Sequence, residues 1–264
     1  MKFEIRSQRI MDDIHSFRTD WGKRSDEAKQ EVRDCRNKVL SGKQLWGQRA
    51  EASFGLNGGE VLTGDVPTEM VVTPLLNKLS GEIELVNERF DAVWGYGSVF
   101  NVGYIMYDAY GPYVEWMNPH AFDPSLQLEA LQMSFLRSHE GLGLATVQHG
   151  RMRVGVDSHG LGFAASLNMK ERDAEDLMEK LRNGSTSSQT SIGGYIEEYQ
   201  WNEEYTEVEI MEWSLSRGEI SVVHAGANPA GWVSMVEYAT NPVIDLNALA
   251  EIQQEREKVT VDKL

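Results

Sequence analysis

The sequence predicts a β-rich α+β protein, built as a strongly bent sheet or a closed β-barrel with a few helices packed outside it. Two hairpin patterns carry most of this prediction. Residues 151–156 and 161–167 are apolar-rich runs that flank the turn signal at 157–160. Residues 197–201 and 207–213 flank a second polar turn at 202–204. Shorter β-branched and aromatic runs between residues 83 and 116 predict further strands, and residues 219–224 predict a compact last strand.

One amphipathic helix lies between the two hairpins. Its apolar residues recur at the i, i+3, i+4, i+7 spacing of a single helical face: Ala174, Leu177, Met178 and Leu181. Asp173 is predicted to cap the start of this helix, and Gly184 is predicted to end it. The helix therefore follows the first hairpin and precedes the second.

The two ends of the chain differ from the middle. Residues 1–80 predict a helical and irregular N-terminal arm or pro-region, with a charged helix that starts at the N-cap Ser25 and a short helix over 73–79. Turn-rich segments separate these helices. Residues 81–240 form the predicted main domain. Residues 241–264 form a polar C-terminal tail with a weak helical stripe, which we expect to be removed by processing.

The bulk composition excludes several functions. The 264 residues carry a formal net charge of −16, so we expect no nucleic-acid partner and no anionic membrane surface. No apolar run approaches the ~18 residues of a membrane span, and residues 1–6 lack the apolar core of a signal peptide. Cys35 is the single cysteine, which indicates a reducing compartment without an internal disulfide.

The residues that could carry chemistry begin with a stretch of small hydroxyl residues that ends in two glycines, at 186–194. Such a stretch can place a serine oxygen beside bare backbone N–H groups, which nucleophilic acyl transfer requires. His139 ends a short apolar run before a glycine turn and could serve as a base. The six histidines lack metal-ligand spacing and no phosphate-binding glycine loop is present, so we expect no metal and no cofactor.

A third group could orient the imidazole. Strand alternation over 219–224 places Glu219, Ser221 and Val223 on one face of the strand and His224 on the other. Either Glu219 or His224 could therefore contact a catalytic histidine, but not both from the same face.

These elements, taken in order, resemble the tailed-phage prohead proteases, a family of capsid-maturation serine proteases related in fold to the herpesvirus assemblins. The resemblance covers roughly residues 82–235. It rests on a series of short motifs in the family's order: Trp94–Asn101, Asn118–Leu126, Leu136–Glu140, Gly150–Leu161, Leu181–Gly184, Thr190–Gly193 and Glu219–Ala230. The chain departs from the family pattern at Gly194, where an aromatic residue is usual, and at His224, where a threonine is common. The family offers no recognised counterpart to the first 80 residues.

The resemblance implies an assemblin-like fold and a serine endopeptidase. Ser191 stands at the position of the family's nucleophile, His139 at that of its histidine, and Glu219 is the expected third member, with His224 as the alternative. Gly193 and Ile192 are the expected oxyanion-hole donors. The implied substrates are the scaffold protein, the major capsid protein and the protease itself, inside the immature capsid in the host bacterial cytoplasm. Self-association is a further expectation. The alternative is a catalytically weak or inactive capsid assembly or scaffold-fusion protein that retains the fold.

Overall fold

The computed structural model describes residues 8–41, 61–63, 73–83 and 90–236. Its α-helices are α1 Gln8–Trp21, α2 Asp26–Leu40, α3 Pro74–Gly81, α4 Asp123–Leu128 and α5 Arg172–Asn183, with one 3₁₀ turn at Ala130–Gln132. Its strands are β1 Val61–Thr63, β2 Phe90–Val99, β3 Gly103–Asp108, β4 Gly111–Met117, β5 Ser134–Arg137, β6 Glu140–Thr146, β7 Met152–Val156, β8 Gly160–Asn168, β9 Gln189–Trp201, β10 Glu207–Val223 and β11 Trp232–Met235. The predicted tail at 241–264 lies outside the described residues.

The strands form one strongly curled, half-barrel sheet. Its order is β1-β3-β4-β10-β9-β11-β2-β8-β7, and β5 joins β10 while β6 pairs with β5. The β-rich prediction is confirmed in its bent-sheet form. Among the described strands, β1 and β7 stand at opposite ends of this order and do not close a barrel.

Strand β10 is the longest element of the sheet, and it connects the parts of the sheet that carry the site. It pairs antiparallel with β9 along its length, parallel with β4 near its start and parallel with β5 near its end. The expectation of a separate, final strand at 219–224 is wrong. Residues 207–223 form one strand because pairing with β9 resumes after a register shift between Ser214 and Glu219, and β11 follows it in the chain.

Both predicted hairpins are confirmed, as β7–β8 and β9–β10, and so is the helix between them. Gly184 ends α5 in the left-handed conformation, with φ +69°. The predicted cap Asp173 is wrong by two positions. The N-cap is Glu171, and its side chain makes no capping hydrogen bond, whereas Asp173 lies in the first turn of the helix. A carboxylate in the first turn still interacts favourably with the helix dipole.

The N-terminal helices dock on the sheet. Ser25 caps α2 by accepting a hydrogen bond from the Ala28 N–H at 3.2 Å, as predicted. Helix α1, which the sequence analysis missed, packs Ile14 against β3 and β4. Arg36 of α2 is fully buried and forms an ion pair with Asp108 at 2.9 Å. Burial lowers the pKa of Arg36 and raises that of Asp108, so desolvation opposes this ion pair.

The main core fills the curl of the sheet. Aromatic pairs join segments that are distant in sequence: Phe135 stacks on Phe163 with ring centroids 5.4 Å apart, and Phe122 lies 6.5 Å from Trp213. Trp213 and Phe135 belong to the fully buried side chains. Strand β10, which contains Trp213, and strand β5, which contains Phe135, are therefore anchored in the core.

A hydrogen-bonded carboxylate, Asp157, joins α3 to the β7–β8 turn. Its Oδ2 accepts hydrogen bonds from Thr73 Oγ1 at 2.7 Å and from Tyr96 Oη at 2.6 Å. Its Oδ1 accepts from the backbone N–H groups of His159 at 2.8 Å and Gly160 at 3.1 Å. Burial is the largest single influence and raises the pKa of Asp157, but the four hydrogen bonds together outweigh it, so the pKa lies below its ordinary value near 3.8.

The depressed pKa of Asp157 predicts a pH-dependent stability. A carboxylate with a lower pKa in the folded state stabilises the fold above its unfolded pKa, and this stability is lost as the pH falls through the folded pKa. We expect Asp157→Asn to lower the free energy of unfolding at neutral pH and to flatten its decline between about pH 5 and about pH 3. Urea denaturation across this range measures both effects. Asp13→Asn, at an exposed position on α1, is the control. Equal pH dependence in wild type and Asp157→Asn would contradict the prediction.

Candidate active site

His139 lies at the tip of a two-residue hairpin. Arg137 of β5 pairs with Glu140 of β6, so the loop between the strands consists of Ser138 and His139 alone. Both have positive φ, +54° and +59°, as a type I′ turn requires. Such a backbone costs about 1–3 kcal/mol at each non-glycine residue. The Ser138 N–H offsets part of this cost by donating to the Val222 carbonyl at 2.9 Å.

The imidazole of His139 contacts Glu219. Nδ1 of His139 and Oε1 of Glu219 lie 2.5 Å apart. With the proton on Nδ1 donated to the carboxylate, Nε2 carries a lone pair and can act as a base. The imidazole is 20% exposed and the Glu219 side chain 10%, so a substrate can reach the histidine while the carboxylate is sheltered.

Glu219, and not His224, therefore lies against the imidazole. His224 follows the end of β10 and is exposed. Among the described residues, no hydrogen bond or ion pair joins His224 to His139. The alternation predicted for residues 219–224 agrees with this difference, although His224 lies one residue beyond the end of the strand.

Ser191 lies across the β9–β10 ladder from Ser221, and Gly193 lies across from Glu219. Side chains of directly opposed residues share one face of the sheet, with Cβ atoms roughly 4.5–5.5 Å apart. Ser191 is therefore on the face that carries Glu219 and His139, and it is 4% exposed. In the described part of the chain, no hydrogen bond joins Ser191 Oγ to His139. Such contacts are often loose without substrate and tighten in the Michaelis complex.

Gly193 and Gly194 stand where a larger side chain would clash with neighbouring atoms. A Cβ at Gly193 would lie 2.2 Å from Glu219 Oε1, so this glycine leaves the space that the carboxylate fills. A Cβ at Gly194 would lie 2.3 Å from Trp213 Nε1 and 2.6 Å from the Ser214 carbonyl oxygen. Gly194, the departure from the family pattern, is therefore dictated by packing against β10.

The backbone amides of the two predicted oxyanion donors point in opposite directions. Thr190 donates its N–H to the Gly231 carbonyl, on the β11 side of β9. Alternation turns the Ile192 N–H the same way and turns the Gly193 N–H toward β10. Within the described residues, β11 pairs with β9 at Gln189 alone, so Ile192 is paired with β10 on one side and with no strand on the β11 side. Ile192 is therefore the better placed of the two donors.

An open cavity of about 380 Å³ adjoins the histidine hairpin. Arg137 and Glu140 line it on either side of the turn, together with Leu142, Leu144 and Asp173. Leu142 is 93% exposed, so the cavity carries exposed apolar surface on the strand that follows the histidine hairpin. A larger cavity of about 450 Å³ lies between Trp116 and Trp201 and includes none of the predicted site residues.

A sheltered carboxylate, an imidazole whose Nε2 forms no hydrogen bond within the described residues, and a serine on the same face are the parts of a nucleophilic acyl-transfer site. The family model of the caudovirus prohead serine protease matches residues 80–243, a range that contains every residue of this cluster. The chain belongs to the caudovirus prohead serine protease family, whose role is phage capsid maturation. No curated protein and no solved structure matches it.

Ser221 also belongs to this cluster, and no sequence motif assigns it a role. Its hydroxyl donates to Glu219 Oε2 and accepts the backbone N–H of His139 at 3.1 Å. The alternation that placed Ser221 on the face of Glu219 was the available signal. The contact with His139 depends on β5 pairing with β10 across more than 80 residues of sequence, which no local pattern indicates.

The steric fit at Gly193 predicts the effect of a single added methyl group. In Gly193→Ala the new Cβ must displace the Glu219 carboxylate from His139, and we expect a destabilisation of about 1–3 kcal/mol. A crystal structure of the variant measures the Nδ1–Oε1 separation, and urea denaturation measures the stability. Gly81→Ala is the matched control, because its Cβ would meet nothing within 4 Å. An unchanged 2.5 Å contact at full stability would show that Gly193 does not make room for Glu219.

Proposed function

We propose that the chain is a serine endopeptidase in which Ser191 is the nucleophile, His139 the general base and Glu219 the group that orients the histidine. The observation that carries this proposal is the 2.5 Å contact between His139 Nδ1 and Glu219 Oε1, two ladder positions from the Ser191–Ser221 pair and on the same face of the sheet. The family match supports a serine protease, and the geometry supports these residues for its three roles.

The proposed mechanism follows from the protonation state of the imidazole. Nε2 of His139 takes the proton from Ser191 Oγ as the oxygen attacks the substrate carbonyl carbon. Glu219 accepts the Nδ1 proton and stabilises the imidazolium that forms. Backbone N–H groups near Ile192 and Gly193 stabilise the oxyanion of the tetrahedral intermediate. His139 then gives its proton to the leaving amine, and water releases the acyl group by the same sequence of steps.

The proposed substrates are the scaffold protein, the N-terminal region of the major capsid protein and the protease itself. We place the reaction inside the immature capsid, in the host bacterial cytoplasm. The net charge of −16 disfavours a nucleic-acid partner and is compatible with removal of these chains before DNA enters. Within the described ranges, no helix is long and apolar enough to cross a membrane.

Self-processing would act on the segments that flank the main domain, residues 1–80 and 241–264. The sparse apolar content of these segments motivates the proposal. Helices α1 and α2 nevertheless dock on the sheet, through contacts that include the buried Arg36–Asp108 ion pair. Removal of the N-terminal segment would therefore expose β3 and β4 surface that these helices cover.

Coexpression of the full-length chain with the scaffold and major capsid proteins of the same phage tests the proposal. We expect Ser191→Ala and His139→Ala to lower the cleavage rate by at least about 10³-fold, and Glu219→Gln by about 10²-fold to 10⁴-fold. Gel analysis measures cleavage, and intact-mass analysis of the protease identifies any segment that it removes from itself.

Ser188→Ala is the matched control, since Ser188 is an exposed serine of the same hydroxyl-rich stretch. Cleavage that persists in Ser191→Ala would show that another residue is the nucleophile. A folded wild type that cleaves neither substrate would favour the alternative, a capsid assembly protein that retains the protease fold.

A further inference from the structure

Ser221 contacts two members of the proposed catalytic group at once. Its hydroxyl proton is donated to Glu219 Oε2, and its oxygen accepts the backbone N–H of His139 at 3.1 Å. Glu219 is thereby held at both oxygens, by His139 Nδ1 on one and by Ser221 on the other. The contacts form a closed ring: Ser221 to Glu219, Glu219 to the imidazole, and the His139 backbone to Ser221.

The backbone arm of this ring acts on a strained turn. His139 has φ +59° and Ser138 has φ +54°, a conformation that is uncommon for residues other than glycine. The N–H of His139 would otherwise have to find another acceptor at the hairpin tip. Its hydrogen bond to Ser221 joins the turn to the strand that carries Glu219. The position of the imidazole is therefore fixed relative to the Glu219 carboxylate.

We propose that Ser221 is a positioning residue for the Glu219–His139 pair. It sets the carboxylate for the imidazole through one hydrogen bond and sets the backbone of the histidine through the other. This inference rests on the proposed function for its catalytic consequence, whereas the geometry itself is independent of any substrate.

Ser221 is unsuited to be the nucleophile itself. It is fully buried, and its hydroxyl proton is already donated to Glu219 rather than to an imidazole nitrogen. Ser191, directly across the ladder, has some exposure and forms no competing hydrogen bond to Glu219 among the described residues. Ser191 is therefore the serine that attacks the substrate, and Ser221 is the serine that aligns the Glu219–His139 pair.

The test compares full-length wild type, Ser221→Ala, Ser221→Thr and Ser166→Ala in cleavage of the scaffold protein. We expect Ser221→Ala to lower kcat by about 10- to 100-fold with little change in KM, because the substrate still binds while the base is misaligned. Ser221→Thr retains the hydroxyl and is expected to recover most of the rate. Ser166→Ala is the matched control: Ser166 is equally buried, in β8, and its Oγ has no hydrogen-bond partner in the described part of the chain.

A second readout needs no substrate. In ¹⁵N-labelled protein, the Nδ1 proton of His139 is expected to give a slowly exchanging imidazole signal, identified by its absence in His139→Gln. We expect this signal in wild type and Ser166→Ala and its loss or rapid exchange in Ser221→Ala. If Ser221→Ala does not fold, slow exchange of the His139 backbone N–H in wild type supports the contact, and rapid exchange overturns it.

Two outcomes separate the inference from the proposed function. If Ser191→Ala is inactive but Ser221→Ala keeps the kcat and the imidazole signal of Ser166→Ala, the positioning role is wrong and the protease assignment stands. If Ser191→Ala still cleaves, the proposed nucleophile is wrong, and the imidazole signal alone decides whether Ser221 aligns the pair.

Discussion

The register between β9 and β10 is the constraint on which the site depends. It places Ser191 opposite Ser221 and Gly193 opposite Glu219, so four small or polar residues form one compact group on a single face. A slip of one residue in β9 would turn Ser191 to the opposite face and bring Ile192 into its place. The apolar residues prevent this slip, because Ile192 and Ile220 pack on the other face, where a Cβ at Gly97 would lie 2.9 Å from each. Core packing thus selects the register that the chemistry requires.

His139 is positioned by a second strand pairing, between β5 and β10. Strand β5 pairs parallel with the end of β10, and its hairpin tip turns His139 back over Glu219. The backbone of that turn is unfavourable by itself, since Ser138 and His139 both occupy the left-handed region. Its hydrogen bonds to Val222 and Ser221 come from the strand that carries the carboxylate. The hydrogen bonds that hold the unfavourable turn in place therefore also fix His139 relative to Glu219.

Local sequence patterns predicted individual helices and hairpins better than they predicted how the strands pair with one another. The hairpins, α5 and the caps Ser25 and Gly184 followed from turn residues and periodicity. Strand β10 was predicted as two strands, 207–213 and 219–224, because only its pairing with β9, which resumes after a register shift between Ser214 and Glu219, identifies one element. Helix α1 was missed although Ile10, Ile14, Phe17 and Trp21 follow a helical spacing. Motif resemblance supplied Ser191, His139 and Glu219, whereas the roles of Gly193 and Ser221 depend on contacts across strands that no single segment indicates.

Reactivity with a fluorophosphonate shows whether His139 and Glu219 activate Ser191 as a nucleophile. Such a reagent forms a stable adduct with a serine oxygen that an adjacent base has activated. We expect one adduct in the wild type, located on Ser191 by peptide mass spectrometry, and a strongly reduced labelling rate in His139→Ala. An adduct on Ser221 or on another serine, or labelling of Ser191 at an unchanged rate in His139→Ala, would contradict it.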